Sequence, residues 1–144
     1  MSESHREVIR RFINEAINQG NLSVLDELVH PDYVFRSPGQ ELHGAEALKA
    51  FFAGFRKAFP DLHLNIDELV IEGNKAVSSF TLTGTHKADY MDIPATGKPV
   101  KINGMVLSRF REGKIKEEWE VLDQLGLLQQ LGEVHSDPVF LLRF

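Results

Sequence analysis

A chain of 144 residues, 42% of them hydrophobic, fits one domain that can bury a core without staples. It has no cysteine, which excludes disulfides and thiolate chemistry, and its net charge of -5 leaves no basic stripe for nucleic acid. No apolar run approaches the span of a bilayer and Met1 to Glu7 lacks a signal-peptide core, so the expectation is a cytoplasmic protein with no membrane or nucleic-acid partner.

In chain order, Ser2 or Ser4 opens a first helix running to about Asn18, with Val8, Phe12, Ile13, Ala16 and Ile17 on one face. Gly20 stops it, and Asn21 or Ser23 caps a short helix from Val24 to Val29. His30-Pro31-Asp32 reads as a break, followed by a short strand from Tyr33 that ends at the Pro38-Gly39 turn pair. His43 is read as a structural residue holding the segment up to Gly44. A third helix, Ala45 to Phe59, presents Leu48, Phe51, Phe52, Phe55 and Phe59 at helical spacing, and Pro60 ends it.

From Leu62 the pattern changes to strands: Leu62 to Glu72, Ala76 to His86, Val100 to Arg111 and Lys114 to Leu122. Gly73-Asn74 and Glu112-Gly113 supply tight turns. The loop Lys87 to Lys98 is long for a hairpin and is expected to cover a cavity, with Tyr90, Met91 or Ile93 pointing inward. A helical turn closes at Gly132, and residues 133–144 read as a tail that docks Val139, Phe140, Leu141 and Leu142. Helices first and antiparallel strands after argue one α+β domain, a curved sheet with helices on one face and a small-molecule cavity between the layers.

The chemistry concentrates in the last strand, where Glu118, Glu120 and Asp123 surround the only tryptophan, Trp119. An acid beside apolar surface can hold a raised pKa and move protons near neutral pH. Alternation puts Glu118, Glu120 and Leu122 on one face and Trp119, Val121 and Asp123 on the other. A two-residue turn pairs Phe110 with Ile115 and favours the Trp119 face as the inner one. Glu120 faces inward only if a β-bulge intervenes; without one, Asp123 is the better acid. No histidine pair has ligand spacing, so no metal is expected. Phosphate loops and a serine nucleophile elbow are absent.

Several marks occur in order along the chain. They are Asn18-Gln-Gly-Asn-Leu22, Leu25 through Tyr33, His43-Gly44, Phe59-Pro60-Asp61, Gly84-Thr-His86, Ile93 through Val100, Glu118 through Asp123, and Leu127 through Gly132. With them the chain resembles the SnoaL-like polyketide cyclases of the NTF2-like superfamily. The resemblance implies an NTF2-like cone, a curved mixed or antiparallel sheet with helices packed on its concave face. It implies an intramolecular aldol cyclisation without metal or organic cofactor, in which an acid in the last strand moves protons. Its place is taken by Glu120, with His86 at the pocket rim and Asp123 as the alternative acid. Gly104, Val106 and Phe51 stand where known cyclases carry polar partners.

Tyr33, Phe51, Phe55, Tyr90, Met91, Val106 and Trp119 are the expected lining for a small apolar or aromatic molecule. An isomerisation is the neighbouring activity. The ketosteroid isomerases of this fold place an Asp base after the first strand, where Phe35 to Gly39 has no acid. For the Asp-Arg-Asp arrangement of the epoxide hydrolases, Arg36 finds no assignable acids. The alternative from another class is a non-catalytic binding or dimerisation module. A homodimer is expected, because one face of such a sheet is left without helices, and the strand Ala76 to His86 suits an isologous contact.

Overall fold

A computed structural model describes residues 2–133. Helix α1 spans Ser2–Arg11 and passes directly into a π-helical segment, Phe12–Asn18, so the helical stretch ends at Asn18 as expected. The wider turn is visible in the 3.1 Å bond from the Gln19 N–H to the Asn14 carbonyl, five residues back. It buries Phe12, Ile13, Ala16 and Ile17 together. Gly20 follows with φ of +74°. A 3₁₀ turn, Leu22–Val24, leads into a single-turn α2, Leu25–Leu28, because Val29 already belongs to the sheet.

Strand β1 is Val29–Ser37 and runs through His30-Pro31-Asp32, where a break was expected. Pro31 is tolerated because pairing with the last strand is irregular between Val29 and Val34, so no ladder bond needs its missing N–H. Pro38 and Gly39 turn the chain into β2, Gln40–His43, a strand that the side-chain pattern did not reveal. It is mostly exposed, and His43 reaches Glu41 at 2.8 Å rather than holding a loop. Helix α3 covers Gly44–Ala58, one residue earlier at each end than expected.

The remaining strands are β3 (His63–Glu72), β4 (Lys75–Thr85), β5 (Pro99–Arg111) and β6 (Lys114–Leu122). They form one six-stranded sheet in the order β2-β1-β6-β5-β4-β3. The β1–β6 pairing is parallel and the others antiparallel, which makes the curved sheet mixed. Helix α4, Gln124–Gln130, follows β6. The described residues share one hydrophobic core, in which Phe12, Ile13 and Ile17 of the π-segment and Leu48 of α3 meet Phe80, Ile102 and Ile115 of the sheet. The tail residues Val139, Phe140, Leu141 and Leu142 lie outside the described residues.

One irregularity of β6 decides which side chains meet the cavity. The Glu112-Gly113 turn has φ of +54° and +78°, and it pairs Arg111 with Lys114 and Phe110 with Ile115, the two-residue geometry expected. The next pair is Arg109 with Glu117, so Lys116 is an extra residue. This bulge reverses the alternation. Ile115 is inside, and beyond the bulge Glu118, Glu120 and Leu122 are inside while Trp119 and Val121 turn out. Trp119 is 49% exposed, with the Arg36 guanidinium 5.5 Å above its ring. The expectation that Trp119 lines the pocket is therefore corrected. No described helix is long and apolar enough to cross a membrane.

Candidate functional site

Two joined spaces lie between the helices and the sheet. The inner one, about 70 Å³, is walled by Phe12, Ile13 and Ile17 of the π-segment, by Phe51, Phe52 and Phe55 of α3, and by Phe35. On the sheet side it meets Ser78, Val106, Glu118 and Glu120. The outer cleft is about 1370 Å³ and is bounded by the β1–β2 turn, Tyr90, Met91 and α4. Phe51, Phe55, Phe80, Leu122 and Glu120 line both, so they form the neck between them. Helical periodicity on α3 places the phenylalanines here, and the bulge at Lys116 places the carboxylate.

The neck depends on Gly104. It faces Phe80 across the β4–β5 ladder, and a Cβ at this position would lie 2.8 Å from the ring's Cε1 and 3.0 Å from the Val121 carbonyl. Only glycine lets the Phe80 ring lie flat on β5 beside Glu120. An aromatic wall therefore leans over this position from β4.

The two carboxylates differ in their surroundings. Glu118 is buried. It accepts a 2.6 Å bond from the Tyr33 hydroxyl and a 3.2 Å bond from the Ser108 hydroxyl. Burial pushes its pKa up, and the two hydroxyls pull it back. Glu120 keeps part of its surface open to the spaces, yet it is enclosed closely enough that burial drives its pKa from 4.5 up to about 8, with the Glu118 charge adding to the rise. Burial, Glu118 and Glu120 all push the Tyr33 hydroxyl upward, so it stays a donor. Tyr90, at the rim, is raised by burial and by Glu120 against a bond from Gln124.

Of the expected site residues, Glu120, Phe51 and Phe55 meet at the neck, Val106 lines the inner space, and Tyr90 and Met91 line the cleft. Met91 and Asp92 adopt φ of +48° and +64°, the turn that folds Tyr90 back to pair with Ile93. Ile93 is buried.

Tyr33 lines neither space; it is buried and supports Glu118 from below. Asp123 sits at the cleft rim and caps α4, accepting the Gly126 N–H at 2.9 Å. His86 also lines neither space. It is fully buried, stacked on Phe59 with a centroid distance of 5.5 Å. Its Nδ1 accepts the Thr96 N–H at 3.1 Å, so His86 closes the base of the 87–98 loop instead of reaching the cavity.

Ser78, Ser108 and Phe80 have no part in the site expected from the sequence, where Glu118 is named only as one of the carboxylates around Trp119. For Ser78, Ser108 and Glu118 the readable signal is a small polar or acidic residue at an inward strand position. For Glu118 that signal needed the bulge. Among the described residues no group of three His, Cys, Asp or Glu side chains could hold a metal ion.

Comparison with known proteins adds a second line of observation. Residues 7–131 match the model of a SnoaL-like polyketide cyclase family. The chain is 31% identical over 138 residues to aklanonic acid methyl ester cyclase DnrD of Streptomyces peucetius, covering 92% of this chain and 93% of that protein. It is 29% identical over 127 residues to nogalonic acid methyl ester cyclase of Streptomyces nogalater, covering 85% of this chain and 93% of the relative. Among solved structures, AclR of Streptomyces galilaeus, described as a candidate hydroxylase, superposes with a TM-score of 0.85 at 29% identity. That match covers 99% of this chain and 93% of AclR.

Proposed function

The chain belongs to the SnoaL-like polyketide cyclase family, and we propose that it cyclises a small polyketide carbonyl compound, an ester among them, by an intramolecular aldol reaction. Family membership carries the reaction class. The observation that carries the site is Glu120 at the neck, a carboxyl group that holds its proton near neutral pH because burial disfavours the anion.

In this reading the bulk of the substrate occupies the outer cleft and an apolar end enters the phenylalanine-lined chamber. The ester reacts as its enol, in which the α-proton has moved to oxygen. The electron pair of the enol C=C forms the new C–C bond to the carbonyl carbon as the C=O π bond opens. The carbonyl oxygen takes the Glu120 proton, and the proton leaving the enol returns to the same carboxyl group. Substrate and product are isomers and no net proton is consumed. The Tyr90 hydroxyl, which lines the same cleft, is the donor this reading assigns to the oxyanion charge. No step calls on a cofactor. A homodimer in the cytoplasm is part of the same proposal. The non-catalytic binding module is not favoured, since the curated relatives are named as cyclases.

The test is incubation with aklanonic acid methyl ester, the compound in the name of the Streptomyces peucetius relative. A product of unchanged mass with a new ring is expected. Glu120→Gln should lower the rate on the order of 10²–10⁴-fold while the protein stays folded. A product one oxygen heavier, or full turnover by the variant, would overturn the proposal.

A further inference from the structure

Glu118 is the buried charged group that the proposed reaction leaves unused. It sits two residues before Glu120 on the inner face of β6, and both carboxyl groups line the same chamber. The groups around them can be taken element by element. From β1 comes the Tyr33 hydroxyl, and from β5 the Ser108 hydroxyl, each donating to a different Glu118 oxygen. From β4 comes Ser78, while the π-segment and α3 contribute only phenylalanines and isoleucines to the chamber. On the cleft side the titratable groups are Tyr90, Asp67 and Asp123. Among the described residues no lysine, arginine or histidine lines either space.

Two carboxylates facing one apolar chamber, with no cation there among the described residues, cannot both ionise cheaply. The hydrogen bonds decide which one does. A carboxylate is stabilised by donors, and Glu118 has two, whereas no donor among the described residues meets Glu120. The Tyr33 and Ser108 hydroxyls are themselves buried, so water does not compete for them.

We propose that Glu118 is a positioning residue: a buried carboxylate, held by the Tyr33 and Ser108 hydroxyls, whose negative charge keeps the proton on Glu120. The neck acid is thereby ready to donate at neutral pH, and the charge that holds its proton lies behind it on the same strand. The direction of the Glu120 shift, raised by burial and then by Glu118, agrees with this. The inference rests on reading Glu120 as the proton carrier.

The experiment is a site-resolved ¹³C carboxyl NMR titration of the ligand-free protein. In Glu118→Gln the Glu120 midpoint should fall by about one to two pH units, because the like charge is gone. The alkaline limb of turnover, where Glu120 loses its proton, should fall with it. In Tyr33→Phe, which leaves Glu118 in place, the Glu118 midpoint should rise, since the anion loses its shorter bond. An unmoved Glu120 midpoint in folded Glu118→Gln overturns the proposal, as does an unmoved Glu118 midpoint in Tyr33→Phe. A merely structural role would lower stability without shifting either midpoint. Because the titration needs no substrate, absent cyclase turnover with a shifted midpoint would defeat the proposed function alone. Normal turnover with an unmoved midpoint would defeat only the role of Glu118.

Discussion

Phe80 of β4 lies across Gly104 of β5 so closely that a Cβ on Gly104 would stand 2.8 Å from the ring's Cε1 and nearer still to its Cζ. The ring can form the neck wall beside Glu120 only because its partner residue has no side chain. Gly104→Ala is expected to force the ring off its place and to cost about 1–3 kcal/mol of stability, the usual range for overpacking. Phe80→Leu in the same chain should restore part of that loss. Denaturant unfolding of the two single variants and the double variant measures the coupling. Additive losses would show that the two residues do not compete for the same space.

Glu120 makes stability depend on pH with a definite sign. Its carboxyl pKa rises on folding, from 4.5 to about 8. Between those values the folded state binds more protons than the unfolded chain, so stability falls as pH rises through the window and levels off above it. Glu120→Gln should flatten that part of the profile and be the more stable form on the alkaline side. Urea unfolding across the window checks this, and parallel profiles for the two proteins would contradict it.

Asp123 should behave as a helix cap. Its carboxylate accepts the Gly126 N–H at the start of α4. Asp123→Ala is expected to cost about 1 kcal/mol and to leave the pH dependence of turnover in place. A change in the pH profile, with stability unaltered, would restore Asp123 as a reacting acid.

His86→Ala removes a buried ring stacked on Phe59 and the acceptor for the Thr96 N–H. A stability loss of about 2–4 kcal/mol is expected, in the range for emptying a large buried site. Faster proteolysis within residues 87–98 should accompany it, with turnover per folded molecule kept. Loss of turnover without loss of stability would return His86 to the chemistry.

The outer face of the sheet should carry a self-association surface. Val70, Val77, Leu107 and Trp119 stand side by side across β3, β4, β5 and β6, and Val70, Val77 and Trp119 are exposed. Sedimentation at micromolar concentration is expected to show a dimer, and Val77→Lys should shift it toward monomer by placing a charge in the contact. A monomeric parent protein would rule this out.

Much of this chain was legible without coordinates because its signals are local. The phenylalanine spacing of α3, the turn residues at 38–39 and 112–113, and the change from helical to alternating pattern near Leu62 each act within a few residues. They determined the helices, five of the six strands and the layer order, and the spaced marks along the chain pointed to the family. What needed the tertiary structure depends on pairing between distant strands. Strand β2 exists because β1 offers it an edge, not because its own residues favour extension. The extra residue at Lys116 shows only against Arg109 and Phe110 of the neighbouring strand, and that single insertion turned Glu118 and Glu120 inward and Trp119 outward. His86 and Asp123 lie near the cavity in sequence terms, yet loop 87–98 and α4 claim their hydrogen bonds. Tyr33 meets Glu118 from a strand far away in the chain, so no spacing rule could have joined them, while Ser108, on the hairpin partner strand, faces Glu118 only because the bulge shifts the register.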